Sequence, residues 1–277
     1  MTEDMKSTVI PRSSAIIICA DDFGISAGVN RAIVDLAARG RLSAISCMSV
    51  GPAWAEGAAA LKAAQANVDV GLHLTFTYLP PLTKEWGERF PSLKEIILKS
   101  WARLLNKNLV EKEIRAQFEK FIAVWGAPPD FIDGHQHVHI LPVIRDALLR
   151  LRVEYAPRSW MRNVVDLSVI REENKYAILA VLGWRWWQLL EKHGIAHNTA
   201  FRGAYDYAKP VDFAALMAHW CAGTQPLLIY CHPGFPDAGL AKLDPVLEPR
   251  RKEYDFFNGT VFRTWLEKQE VILERRP

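Results

Sequence analysis

Short apolar runs alternate with helix-period segments along almost all of this 277-residue chain, and no other feature narrows the choice of fold as far. Runs at residues 15–20, 43–50, 68–76, 131–133 and 227–231 have the length and apolar content of buried strands, with a weaker run at 153–156 and a last one at 271–273. Between them lie segments of helical period at 26–39, 52–65, 93–105, 109–125, 142–150, 172–193, 211–221, 248–257 and 261–269. Ser26 stands where a cap is needed and Gly40 where a helix stops. Strands joined by helices pair in parallel through right-handed crossovers. Seven or eight of them in a chain of this length predict an α/β fold, a TIM-like (β/α) barrel rather than an open dinucleotide-binding sheet. No GxGxxG or GxxxxGK[ST] run is present to cradle a phosphate. With no linker or repeat, residues 1–277 read as a single barrel domain, and the polar residues 1–14 as its flexible start.

Composition removes several classes. Lys plus Arg exceed Asp plus Glu by only three charges of mixed distribution, which argues against nucleic acid as a partner. The four cysteines form no CxxC pair, and three sit in apolar runs, as expected in a reducing compartment. The longest apolar stretch, 176–190, is interrupted by Arg185 and Gln188 and falls short of a bilayer span. A cytoplasmic location is therefore expected. The same stretch holds Trp184, Trp186 and Trp187. One reading buries it against the barrel or a second subunit of a homo-oligomer. The other sets the tryptophans against a lipid-linked substrate or a membrane surface, as a peripheral contact.

The chemistry-bearing residues gather at strand ends. The first strand runs into Ala20-Asp21-Asp22-Phe23-Gly24, and the third carries Gly71-Leu72-His73-Leu74. The fourth leads into Asp133-Gly134-His135-Gln136-His137-Val138-His139, and the strong late strand ends in Cys231-His232-Pro233-Gly234. In a parallel barrel these ends share the face that holds the active site. Taken singly, an Asp pair can cap a helix and a lone His can sit satisfied in a core. Together, one carboxylate and two imidazoles make a three-ligand metal set with open positions, a second carboxylate can act as base, and a further His as acid. At strand period Asp133, His135, His137 and His139 would face one side.

These four motifs, in this order and across residues 15–258, resemble the YdjC-like carbohydrate deacetylase family (ChbG/YdjC), whose fold is a (β/α) barrel of polysaccharide-deacetylase type. The resemblance implies hydrolytic, metal-dependent removal of an acetyl group from an N-acetylated sugar. It implies Asp22, His73 and His135 as ligands of one divalent metal ion, Asp21 as general base, and His232 as acid or stabiliser of the intermediate. His137 and His139 would then lie beside the ligands or on the substrate side. Magnesium is the family's usual metal, while two imidazoles suit zinc, cobalt or manganese at least as well. Residues 196–207, with Asn198, Phe201-Arg202-Gly203 and Asp206, also resemble the branch associated with hopanoid biosynthesis, which would make the substrate a glycolipid such as an N-acetylglucosaminyl hopanoid.

Further residues join on position. Arg158 and Arg162 follow the weak fifth strand and are expected on the same rim, binding sugar or orienting Asp21. Phe76, Tyr78 and Trp86 lie in or beside the proline-rich loop at 78–91, where aromatic rings either stack on sugar or pin the loop to the barrel. The rival enzyme reading is another metal hydrolase, such as a phosphoesterase, and the rival non-enzyme reading is a catalytically silent sugar-binding protein.

Overall fold

Residues 16–20, Ile-Ile-Ile-Cys-Ala, have nothing polar to offer water on either face, and they form the middle of the central strand, with every one of them buried. The computed structural model of the protein describes residues 15–171, 174–222 and 226–277. The expected flexible start at 1–14, and the expected helix start at Glu172, lie outside the described residues.

The central strand β1 (Ala15–Phe23) pairs in parallel with β2 (Ala44–Cys47) on one side and β7 (Leu227–Cys231) on the other. Next come β3 (Asp69–Leu74), β4 (Phe131–Gly134), β5 (Trp160–Met161) and, beyond β7, β6 (Ala200–Arg202). The strand order is β5-β4-β3-β2-β1-β7-β6, and the short β8 (Ile272–Leu273) pairs with the start of β1. All these pairings are parallel. The sheet is thus a seven-stranded half-barrel of the expected α/β class, with its C-terminal strand ends on one rim.

The two outer strands, β5 and β6, share no ladder. Side chains join them instead. The amide of Asn198 donates to the carbonyls of Asn163 and Ala200 (2.9 Å each), and its oxygen accepts from the Asn163 N–H (2.9 Å). One backbone bond, Met161 N–H to the Ala196 carbonyl, reinforces the seam.

The helices cover the outside of the sheet. Helix α1 (Ala27–Ala38) starts at Ser26, whose hydroxyl accepts from the Val29 N–H, and a capping box of Ser92 and Glu95 opens α3 (Leu93–Trp101). Helix α4 (Lys107–Trp125) ends at Gly126 in the left-handed conformation. The fifth strand corrects the sequence expectation. Residues 153–155 complete α5 (Ile144–Tyr155), and the strand begins only at Trp160. Strand β6 arises in a segment with no recognisable strand pattern.

Helix α6 (Asn174–Lys192) divides the tryptophan cluster. Trp186 is fully buried and its indole N–H donates to the Arg162 carbonyl (2.9 Å), while Trp184 stays exposed and touches Trp187. The three rings therefore do not form one outward face. Among the described residues no helix is long and apolar enough to cross a membrane.

Candidate active site

A regular strand sends neighbouring side chains to opposite faces, yet Asp21 and Asp22 line the same cavity. The cause is local. Between Ala20 and Phe23 the register of β1 against β2 slips, and Asp22 takes a left-handed φ of 65°. This bulge turns both carboxylates toward the rim. Gly24 follows with φ 98°, and a Cβ there would meet the Met48 carbonyl at 2.9 Å, so the chain can turn there only as glycine.

Three expected ligands converge on one point. His73 Nε2 lies 3.3 Å from Asp22 Oδ1, and His135 Nδ1 lies 2.9 Å from the same oxygen. One donor atom from each of the three residues falls within 4.8 Å of the others. The opposite ring nitrogen of His73 is 2.7 Å from Asp133 Oδ1, which also accepts from the Ser46 hydroxyl. A proton on that nitrogen leaves the Nε2 lone pair facing Asp22, the arrangement by which a carboxylate orients a metal-binding imidazole. Burial would lower the pKa of His73, but Asp133 and Asp22 together raise it to about 10. The site thus favours positive charge at this spot, and its donors fit a divalent cation.

Asp22 has a second partner. Its other oxygen accepts from the buried Arg250 (2.6 Å), which also pairs with Asp244. Burial would raise the Asp22 carboxyl, but Arg250 and the imidazole of His135 hold it well below the usual carboxylate range.

Asp21 is gripped from behind. Arg162 donates to both of its oxygens (2.7 and 2.6 Å) and also reaches Asp133 (2.5 Å). The guanidinium is fully buried, so it does not line the cavity, and a sugar does not reach it. Of the two roles expected for Arg162, orientation of Asp21 is the one its position allows. The guanidinium also fills the space among Cys19, Asp21 and Asp133, whose donor atoms would otherwise make a second candidate cation site. Arg158 is placed elsewhere. It precedes β5 and lines a separate cavity of about 590 Å³ with Pro128, Pro129 and Arg276 at the strand starts. Its expected place on the rim depended on the misplaced fifth strand.

The histidine run does not alternate as a strand. The strand stops at Gly134, and Gln136 and His137 both adopt left-handed backbone (φ 51° and 61°). The three imidazoles diverge as a result. His135 goes to Asp22. His137 lines the cavity against Phe201 and Tyr230, and burial with the nearby Lys175 lowers its pKa. His139 is buried under Arg162 and against Trp186, its pKa pulled down to about 3 by burial.

His232 faces this group from the end of β7. Its Nδ1 lies 3.2 Å from the Tyr207 hydroxyl, and its backbone N–H donates to Glu253. Burial, with Arg250 and Lys175 nearby, brings its pKa down to about 4. The whole group encloses a cavity of about 220 Å³ lined also by Lys175, Tyr207, Tyr230 and Arg250. Lys175 donates to the Tyr230 hydroxyl (2.7 Å). These four residues carry no motif. Arg250, Tyr207 and Lys175 come from helices or loops, and only the folded chain shows that they meet the strand ends. Asp133 alone had a signal, as the first residue of the histidine run.

The sequence profile described as YdjC-like protein matches residues 15–268. A chitooligosaccharide deacetylase of Yersinia pestis (strain Pestoides F) is 31% identical over 243 residues, covering 81% of this chain and 83% of its own length. One from Serratia marcescens is 26% identical over 268 residues, covering 93% and 96%. Among solved structures, an Enterococcus faecalis V583 protein provisionally described as a cellobiose-phosphate cleavage protein shares the fold. Its TM-score is 0.74 at 21% identity, covering 95% of this chain and 97% of that one.

Proposed function

The chain belongs to the YdjC-like family, and from that premise we propose that it hydrolyses the acetamide of an N-acetylated sugar, giving acetate and an amino sugar. One observation carries the reading: Asp21, Asp22, His73, His135 and His232, from the ends of four strands, line a single cavity. The names of the relatives, chitooligosaccharide deacetylases, support a carbohydrate amide as the substrate.

Asp22, His73 and His135 would hold one divalent cation, and a set of one carboxylate and two imidazoles suits zinc, cobalt or manganese as well as magnesium. Such an ion polarises a carbonyl and acidifies water. Asp21, aimed by the two Arg162 bonds, accepts a proton from the attacking water. The same carboxyl then passes that proton to the departing amine, so the proton count closes within one residue. His232 is neutral at pH 7. In the tautomer protonated at Nε2, Nδ1 can accept from the Tyr207 hydroxyl and the Nε2–H can donate to the oxyanion of the tetrahedral acetyl adduct, as preorganised donors do in acyl transfer. Of its two expected roles, stabiliser of the intermediate is the one this environment favours. His137 sits on the wall where a sugar hydroxyl would lie.

The outer face of α6 leaves Ile178, Val181 and Trp184 exposed, and this stripe is the reason to include a lipid-linked sugar among substrates. The test is acetate release from N-acetylglucosamine, its β-1,4 disaccharide and an N-acetylglucosaminyl lipid, with metal analysis of the purified protein. Acetate release that depends on bound metal is expected. Phosphate release from phosphorylated sugars without acetate release would replace this reading with a phosphoesterase.

A further inference from the structure

Helix α8 (Glu248–Asn258) turns two buried charged side chains toward the strand ends, one turn apart. Arg250 meets Asp22. Glu253 meets His232 from behind and forms no part of the cavity wall, so a substrate does not touch it. A carboxylate removed from water is costly unless its lone pairs are engaged. Glu253 forms no ion pair among the described residues. Its oxygens accept instead from two neutral donors, the backbone N–H of His232 and the Tyr205 hydroxyl (2.7 Å).

Both bonds lead to the same imidazole. The first holds its backbone. Pro233 has no N–H to give, so His232 and Gly234 carry the amide donors of the turn after β7. The His232 N–H goes to Glu253 and the Gly234 N–H to the Arg250 carbonyl (3.0 Å), and α8 thereby anchors both. The second bond reaches the ring through two tyrosines. Tyr205, held at its hydroxyl by Glu253, stands perpendicular to Tyr207 with centroids 4.8 Å apart, and Phe213 backs it at 5.5 Å. Tyr207 places its hydroxyl 3.2 Å from His232 Nδ1. A phenol at that nitrogen favours the tautomer with the proton on Nε2, because an unprotonated Nδ1 can accept from it.

We infer that Glu253 is a positioning residue for the hydrolysis, holding the His232 backbone directly and Tyr207 by way of Tyr205, and so fixing both the place and the tautomer of the imidazole. It transfers no proton itself. Its work is that of a buried carboxylate that keeps a histidine in one orientation, reached here through the backbone and a neighbouring phenol rather than through the ring. The inference rests on the reading of His232 as a donor to the tetrahedral adduct.

The test compares variants of the intact protein. Glu253→Met fills the same space and accepts no strong hydrogen bond. Its kcat should fall about tenfold, the worth of one lost hydrogen bond in the transition state, with KM and metal content unchanged. Glu253→Gln can accept from the His232 N–H and donate to the Tyr205 oxygen, so it should recover most of that loss. In a His232→Ala background Glu253→Met should cost nothing further, which a merely structural role would not predict. Tyr205→Phe removes one hydroxyl from the network without opening the core, and its smaller loss should likewise vanish without His232. An unchanged kcat in Glu253→Met, equal losses in Met and Gln, or an undiminished loss in the His232→Ala background each overturn the role. Long-range 1H–15N spectra give a readout that needs no turnover, with His232 identified by its absence from His232→Ala. The wild type should show the Nε2–H tautomer alone and Glu253→Met a mixture. If the wild type releases no acetate, the deacetylase reading falls and the spectra decide the rest. A mixture then leaves Glu253 as the residue that orients His232, and an unchanged tautomer overturns it.

Discussion

Asp21 and Asp22 are neighbours in sequence, the proposed function gives them opposite duties, and what separates them in the structure is which cation each one meets. Asp21 meets Arg162 with both oxygens. Asp22 gives one oxygen to Arg250 and turns the other to two imidazoles. Asp21→Asn should therefore lower kcat by about 10²–10⁴ while metal content stays at the wild-type level; loss of metal as well would contradict this division. Asp133→Asn should act through His73 and weaken metal binding about 10–100-fold in a metal titration, and unchanged affinity would remove Asp133 from that role. Much of this was legible in the sequence, because motifs at strand ends are held to the rim by topology alone. The left-handed Asp22 and His137 were not. Nothing in Asp-Asp-Phe-Gly or in His-Gln-His announces a bulge, so strand alternation sets His139 beside His135 and His137, whereas the folded chain buries it against Trp186.

At the scale of elements, the sequence showed most strands and missed how the sheet is held where it ends. The sequence suggests a weak fifth strand at 153–156, yet residues 153–155 continue an amphipathic helix, and tertiary packing overrides so weak a preference. The real seam between β5 and β6 depends on Asn198. Asn198→Leu leaves the Asn163 N–H and two carbonyls buried without this partner. It should cost about 2–4 kcal/mol in urea denaturation; a cost within experimental error would mean that the seam holds without it. Helix α8 (Glu248–Asn258) brings another buried carboxylate, Glu253, to the back of His232. Burial raises its pKa to about 7. The folded state then binds more protons than the unfolded state between roughly pH 4.3 and 7. Stability should be highest at the acid end of that window and fall by an amount on the order of 3 kcal/mol as pH rises through it. Glu253→Gln should flatten that part of the pH–stability profile. An equal slope in both proteins would show that Glu253 does not carry the effect.

For the whole molecule, the candidate metal ligands are not spread evenly around the rim. Asp22 ends β1, His73 lies in β3 and His135 follows β4, while Ser46 of β2 joins the same network through Asp133. A bound ion would thus tie together one continuous block of the sheet, β1 to β4, and leave β6 and β7 untouched except through β1. Ligand binding to the folded state alone stabilises it by about 2.7 kcal/mol at a hundredfold excess over Kd. For a chain of this size that is a rise in Tm of roughly 5 °C. The rise should appear when metal is returned to chelator-treated wild type, and should be absent in His73→Ala and His135→Ala. Hydrogen exchange should locate it as well. Added protection should concentrate at the C-terminal ends of β1, β3 and β4, because opening any one of them releases the ion. A uniform gain across all seven strands would instead mean that the ion stabilises only by mass action on global unfolding. No gain at all would remove Asp22, His73 and His135 as a binding set.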